Sequence, residues 1–198
     1  MRPPLPLAAL ILVAAAGAGS AQEQPRYLPT RDVTITYQLT ATQPGLPPSV
    51  TAHITAAGDI RVDSADRGAL IYHVGAGWAD WVLPQGKVYF EVTIGNSLAG
   101  TFLPNSGARF TREGQSVVAG RPCTRWGVAA PRGSGTACVT PDGVILQAQG
   151  GDARGASGEI RATDVTYAAQ PAALFKPPQG AMRLSLPDRL PSRLRIPQ

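Results

Sequence analysis

Apolar and polar residues alternate along short stretches of this chain, and glycine or proline separates the stretches, which is the pattern of β-strands. In residues 33–40, Val33, Ile35, Tyr37 and Leu39 are separated by threonine or glutamine. A period of two places these four side chains on one face, so the segment is predicted to be a half-buried strand. Further strands are predicted at 50–56, 60–62, 69–74, 78–83, 87–94, 121–129, 135–139, 144–148 and 160–167.

Turn signals between these stretches predict antiparallel hairpins. Residues 84–86 (Pro-Gln-Gly) and 141–143 (Pro-Asp-Gly) each separate two strand candidates. Proline fits the second position of a turn, and glycine adopts positive φ at little cost. Helix is predicted only as single turns, one within Asp63–Ala69 and one within Gln170–Phe175, where Pro171 suits the first helical position. The pattern predicts a mainly β fold with little helix, either an antiparallel meander or an open barrel.

The composition supports a β domain and narrows the function classes. The 198 residues include 22 glycines and 19 prolines, which argues against a helical bundle. Two cysteines exclude a four-cysteine zinc site, and two histidines leave little for histidine-based metal chemistry. Phosphate-loop, dinucleotide and nucleophile-elbow motifs do not occur in the sequence. No catalytic residue, metal or cofactor is therefore predicted.

The N-terminus has the order of a secretory signal peptide. Met1-Arg2 gives a positive start, residues 5–18 are almost wholly apolar, and Gly19-Ser20-Ala21 are small residues that suit a cleavage site. The apolar run is shorter than the roughly 20 residues that span a bilayer. Cleavage is predicted after Ala21, which gives an exported protein of the periplasm, with secretion as the second choice.

Positive charge is concentrated at the C-terminus. The formal net charge is +5, and residues 183–198 contain four arginines (183, 189, 193 and 195) and one aspartate. The rest of the chain is close to neutral, so nucleic acid is not predicted as a partner. The three predicted units are a signal peptide (1–21), a β domain (22–182) and a basic, proline-broken tail (183–198). The tail is predicted to be disordered; the alternative is peripheral contact with anionic lipid head groups.

The two cysteines are predicted to form a structural disulfide. Cys123 and Cys138 lie in strand candidates on either side of the loop 131–135, at similar distances from its centre. They can therefore face each other across a hairpin, and an exported chain meets an oxidising compartment. A redox pair usually has a close Cys-x-x-Cys spacing at a helix start, which is not found here.

For the two histidines and for the large aromatic residues, the sequence allows either a structural or a functional role. His73 could act as a general base with Asp63, Asp66 or Asp80 as its orienting partner, although a lone histidine at a strand end is more often structural. His53 occupies a polar position in the alternating pattern of its strand and is predicted to be exposed. The large aromatic residues either pack in the core or line an apolar ligand cavity; the cavity candidates are Trp78, Trp81, Tyr89, Phe90 and Trp126.

Several segments in order carry a resemblance to a known superfamily. They are residues 60–63 (Ile-Arg-Val-Asp), the hairpin 81–90, 118–126, 137–146 (with Cys-Val-Thr-Pro-Asp-Gly-Val), 162–167 and 174–178. Over residues 27–180 the chain resembles exported bacterial proteins of unknown function related to the LolA/LolB/RseB superfamily. The resemblance implies a half-open antiparallel β-barrel, LolA-like, over an apolar cavity. Characterised members carry or sense lipoproteins by holding acyl chains.

The resemblance sets the functional expectation. It implies a non-enzymatic periplasmic binding protein that holds a lipid, an acyl chain or a lipoprotein-like apolar ligand in a half-barrel cavity. The alternative is a structural or interaction protein of the cell envelope that has a filled core and no ligand. An exported hydrolase is a third hypothesis and would need His73 beside a serine or a carboxylate.

Overall fold

The computed structural model describes residues 23–42, 44–73, 77–93, 107–131 and 133–184. The predicted signal peptide lies outside the described residues, as does the predicted tail from residue 185 onward. Residues 183 and 184 belong to a strand, so the boundary predicted between 182 and 183 falls inside an element of the sheet.

The described residues form twelve strands and one short 3-10 helix, in a single sheet. The strands are β1 (Val33–Ala41), β2 (Ser49–Ile54), β3 (Ile60–Ser64), β4 (Gly68–His73), β5 (Trp78–Val82), β6 (Val88–Thr93), β7 (Arg109–Val118), β8 (Arg121–Ala130), β9 (Gly133–Val139), β10 (Ile145–Asp152), β11 (Ser157–Tyr167) and β12 (Met182–Leu184); the 3-10 helix is Ala172–Phe175. The strand order is β12-β6-β5-β4-β3-β2-β1-β11-β10-β9-β8-β7. All neighbours are antiparallel except β12 and β6, which are parallel. The predicted fold class, a mainly β, half-open antiparallel sheet, is confirmed.

The register aligns two rows of apolar side chains on one face of the sheet, because residues directly opposite each other share a face. This face is called the inner face. The first row is Val165, Ile35, Ala52, Val62, Leu70, Trp81 and Phe90. The second row is Tyr167, Val33, Ile54, Ile60, Tyr72, Ala79 and Val92. Neither row contains a charged residue.

At β1 the inner face is covered by other strands of the same sheet. Val33 and Ile35 of β1 share a buried cluster with Val118, Val144 and Leu146, which come from the β7–β10 side of the sheet. Val33, Ile35, Val144 and Leu146 are all 0% exposed, so apolar burial here is complete. This part, β1, β2 and β7–β11, is called the filled half, and β3–β6 with β12 is called the open half.

The predicted disulfide is confirmed and lies in the filled half. Cys123 of β8 and Cys138 of β9 are bonded across neighbouring strands, with their Cα atoms 5.4 Å apart and a sequence separation of 15. Both residues are buried within the same cluster as Ile35 and Leu146. The bond therefore joins two strands that cover the inner face of β1.

Two chain segments cover the opposite, outer face. Residues 23–28 lie over β7–β9, where the Tyr27 ring contacts the Phe110 ring at a centroid distance of 5.4 Å. Residues 168–181, called the C-terminal segment, lie over β3–β5. Phe175 of this segment joins a buried cluster with Ala69, Ile71 and Val82. Each half of the sheet thus has its own outer-face cover.

The structure differs from the sequence-based prediction at three places. Strands β7 and β12 were not predicted. The single helical turn predicted within Asp63–Ala69 is wrong, because a tight turn joins β3 directly to β4. Gly68 ends that turn with φ +81°, and a Cβ there would collide with the carbonyl oxygen of Val82. The helical turn near residue 172 is confirmed as 3-10, with Pro171 as its N-cap rather than its first residue.

Candidate functional site

The inner face of the open half is an apolar surface on which the side chains, apart from Ala79 at 0% exposure, are only half-buried. Its half-buried members, called the open inner face, are Ile60, Val62, Leu70, Tyr72, Trp81, Phe90 and Val92. Ile35 stands in the same row as Leu70 and is 0% exposed. The apolar surface thus continues from a closed core into a region where its side chains remain accessible. Such a surface is suited to an apolar ligand.

Trp81 and Phe90 form an aromatic pair on this face. Their ring centroids are 6.4 Å apart and the rings are tilted by 48°. The indole Nε1–H of Trp81 donates a hydrogen bond of 2.8 Å to the carbonyl oxygen of Arg67 in the β3–β4 turn. This bond fixes the orientation of the indole, so the aromatic surface is in place before any ligand binds.

The five aromatic residues predicted to line a cavity are divided between the faces. Trp81 and Phe90 lie on the inner face. Trp78 and Tyr89 lie on the outer face, because they pair with His73, Thr93 and Val82 rather than with the two inner rows. Trp126 is buried under the outer-face cover with Phe110 and Val139. The register therefore places only Trp81 and Phe90 of these five on the same apolar surface. That the five residues line one ligand cavity stays a prediction.

His73 and Asp80 form a close pair on the outer face of the open half. The His73 Nε2 atom is 3.0 Å from the Asp80 Oδ2 atom, and the Asp80 side chain is 6% exposed. The Trp78 ring lies on the imidazole at a centroid distance of 4.0 Å. Asp80 is one of the three orienting partners considered for His73. Within the described ranges, no serine, threonine or cysteine is hydrogen-bonded to His73.

Polar contacts hold the C-terminal segment on the outer face. Asp32 accepts hydrogen bonds from the backbone N–H groups of Ala56 (2.8 Å) and Gln170 (2.9 Å), and these bonds lower its pKa. Arg61 binds the Asp63 carboxylate through two nitrogens and donates to the carbonyl oxygen of Leu174 at 3.0 Å. The prediction that His53 is exposed is wrong: it is half-buried.

The reason for the burial of His53 is the side chain of Gln170. The His53 Nδ1 atom lies 3.2 Å from the Gln170 Oε1 atom and 3.1 Å from the Thr34 Oγ1 atom. Gln170 is 117 residues away in sequence, so the strand pattern alone could not reveal this contact. An open groove of about 260 Å³ lies near Arg61 and Asp63, bounded by Gly68, the turn after β5 and Pro178.

A cationic cluster marks the end of the sheet at which β1 begins and β11 ends, called the lower end. The guanidinium carbon of Arg31 is 3.9 Å from the centroid of the Tyr167 ring, and that of Arg121 is 5.0 Å from it. Arg31 also donates to Asp142 at 3.0 Å. Burial desolvates Asp142, but hydrogen bonds from Thr140, Tyr167 and Arg31 outweigh this and lower its pKa. Burial, with the Asp142 contact, raises the pKa of Tyr167.

The described residues contain no group of three or more histidine, cysteine, aspartate or glutamate side chains placed to hold a metal ion. None of their helices has the length and apolar character needed to cross a membrane.

Comparison with known proteins finds similar folds only. No protein-family model matches the chain. No curated protein matches it. A chain of the Pseudomonas aeruginosa MucA/MucB complex is 14% identical with a TM-score of 0.47, and the match covers 82% of this chain and 62% of that chain. This protein thus spans less than two thirds of the length of that chain.

Two further solved structures are similar over most of their own length. The lipoprotein LppX of Mycobacterium tuberculosis is 14% identical with a TM-score of 0.41, covering 67% of this chain and 84% of that one. A LolA superfamily protein of Nitrosomonas europaea is 8% identical with a TM-score of 0.42, covering 76% and 92%.

Proposed function

We propose that the protein is a non-enzymatic binding protein that holds an apolar ligand, a lipid or an acyl chain, on the open inner face. The observation that carries the proposal is the change in burial along the first row. Ile35 is 0% exposed, whereas Val62, Leu70, Trp81 and Phe90 of the same uncharged row are half-buried. A ligand that covers them extends the closed core without desolvating a charged group of the sheet.

The placement of charge supports a ligand of low polarity. The charged residues of β3–β6 are Arg61, Asp63, Asp80 and Glu91, and each lies on the outer face by register. Each methylene buried on the inner face contributes about 0.8 kcal/mol. About ten methylenes would therefore contribute about 8 kcal/mol, which is enough to offset much of the cost of association.

An exported location is part of the proposal. The N-terminal sequence has the signal-peptide order, and a buried disulfide is typical of an oxidising compartment such as the periplasm. Envelope proteins and lipids are the partners that this compartment supplies.

The experiment is native mass spectrometry of protein prepared from the periplasm without detergent, followed by organic extraction. The expected result is a bound lipid or acylated molecule in the wild type. Phe90→Asn should reduce the bound fraction several-fold because residue 90 lies on the inner face. Thr93→Asn, on the outer face of the same strand, is the matched control and should leave the bound fraction unchanged. An apo mass for the wild type, with no response of tryptophan fluorescence to fatty acid or phospholipid, would contradict the proposal.

A second candidate function is that of an envelope interaction protein without a ligand. It is favoured by the complete burial of the inner-face core side chains of the filled half. Val144 and Leu146 are 0% exposed, so the core there is made by the chain itself. This candidate predicts a specific envelope protein in pull-downs of the wild type that Phe90→Asn does not lose. It also predicts that lipid-free protein stays monodisperse and folded.

A further inference from the structure

Three side chains at the lower end belong to the inner face although they lie in different parts of the chain. Arg121 precedes Cys123 by two residues in β8 and therefore follows the alternation of the inner face. Arg31 lies before β1, and its side chain reaches this face by stacking on the Tyr167 ring. Tyr167 stands in the second apolar row, opposite Val33. The inner face therefore carries two guanidinium groups at one end and no charge along its two rows.

The two guanidinium groups share one aromatic ring and one carboxylate. Arg31 and Arg121 both approach the Tyr167 ring, at 3.9 and 5.0 Å from its centroid. Asp142 accepts from Arg31, and Arg121 donates to the carbonyl oxygen of Val165 at 2.7 Å. A carbonyl does not neutralise a guanidinium, so Arg31, Arg121 and Asp142 together retain one positive charge. Asp32, next to Arg31, follows the outer-face alternation and is occupied by two backbone N–H groups.

The Arg31 side chain is accessible to a ligand. It is 62% exposed, and it reaches Asp142 through NH2. A guanidinium has five donors, so Arg31 can keep Asp142 and still bind a phosphate or carboxylate oxygen. From Tyr167 the second row reaches Ile60 of the open inner face after three strand spacings, about 14 Å. Val33 lies between them in this row and is 0% exposed, so an amphiphile that joins the two places has to pass along the lower end of the sheet rather than across the row.

We propose that Arg31 and Arg121 form an anion subsite, and that the ligand is an amphiphile whose anionic phosphate or carboxylate head group binds there while its alkyl chain lies on the open inner face. This inference rests on the proposed function and adds the charge of the ligand to it. Hydrogen bonds between charged groups are stronger than neutral ones, so the subsite should select anionic over uncharged amphiphiles of equal chain length.

The test compares three probes by isothermal titration calorimetry at low salt: dodecyl phosphate, uncharged dodecyl maltoside and inorganic phosphate, each amphiphile below its micelle concentration. The wild type should bind dodecyl phosphate about tenfold more tightly than dodecyl maltoside, and added NaCl should reduce this difference. Arg31→Gln and Arg121→Gln should each remove most of the difference while the affinity for dodecyl maltoside is kept. Arg154→Gln, in the turn between β10 and β11 at the other end, is the control and should change neither affinity.

Charge-preserving variants separate the subsite from a role in folding. Arg31→Lys and Arg121→Lys should retain much of the preference for dodecyl phosphate, whereas a purely structural arginine would give equal losses for lysine and glutamine and for both amphiphiles. Equal affinities of the wild type for the two amphiphiles would overturn the inference and leave the proposed function intact. Binding of neither amphiphile would overturn both. Binding of inorganic phosphate without binding of either amphiphile would assign the cluster to a free anion instead.

Discussion

The filled half has buried clusters on both faces of the sheet, whereas the buried cluster of the open half lies on the outer face. In the filled half the cluster around Ile35 and Leu146 lies on the inner face, beneath strands joined by the disulfide. In the open half the cluster of Ala69, Ile71, Val82 and Phe175 lies on the outer face, beneath the C-terminal segment. Because the open half is stabilised from outside, its inner face can stay accessible without unfolding the sheet.

The largest expected effects come from truncating one core side chain in each half. Leu146→Ala and Phe175→Ala should each lower the free energy of unfolding by about 3–5 kcal/mol, because both side chains are buried in the cluster of their half. Leu70→Ala, on the open inner face, should cost about 1 kcal/mol. Urea unfolding followed by circular dichroism measures all three. A cost for Leu70→Ala equal to that of Leu146→Ala would show that the inner face of the open half is a core as well.

The disulfide of the filled half should contribute somewhat less to the free energy of unfolding. Closing a loop of 15 residues stabilises the folded state by about 3 kcal/mol in the chain-entropy model. The double variant Cys123→Ser/Cys138→Ser should lose this amount in urea unfolding while its affinity for an apolar ligand is kept. Denatured, unreduced protein should show no free thiol with a thiol reagent. Two titratable thiols would contradict the bond.

Acid should weaken the outer cover of the open half through Asp32. Its pKa is lowered by the backbone N–H groups of Ala56 and Gln170, so its contribution to stability is present above the ordinary aspartate pKa and is lost as the pH falls through the lower, folded value. Asp32→Asn should therefore lower the urea midpoint at pH 7 and make the acid-induced loss of stability shallower. Midpoints measured from pH 7 to pH 2 check this. Parallel curves for the variant and the wild type would exclude a role for the carboxylate.

The smallest expected effects come from relieving backbone strain at one turn in each half. The gain in the free energy of unfolding should be equal in the two halves, because the strain of a turn is local. Ala119 in the β7–β8 turn and Gln85 in the β5–β6 turn have φ values of +48° and +82°, which side chains rarely adopt. Ala119→Gly and Gln85→Gly should each raise the free energy of unfolding by about 0.5–1 kcal/mol. Thermal unfolding monitored by circular dichroism measures the gain. A gain at only one position would show that the surrounding half, not the backbone conformation, determines the effect.

The sequence predicted elements whose pattern is local. The alternation in β1 places Val33, Ile35 and Tyr37 on one face, and all three are buried there. Strand β7 was missed because Arg112, Glu113 and Gly114 interrupt its alternation, and the register shift between Arg112 and Gly114 moves its second part by one position. Strand β12 was missed because three residues give no period.

The candidate site depends on register, which local pattern does not fix. Trp81 and Phe90 meet because β5 and β6 are paired with Trp81 opposite Phe90, and a shift by one residue would place Tyr89 there instead. His73 and Asp80 could be suggested as partners because they are seven residues apart on either side of one turn. The contact of Arg31 with Asp142 joins positions 111 residues apart, so it needs the folded sheet.

The pairing of β1 with β11 has a consequence for the timing of folding. β1 begins at residue 33, and its second neighbour ends at residue 167, so one edge of β1 stays unpaired until most of the chain has been made. β12 then pairs with β6, with Met182 opposite Val88. Contacts this far apart slow folding and leave strand edges available to other chains meanwhile. The protein should therefore fold late and as one unit, and it should need protection from aggregation until residue 184 is available.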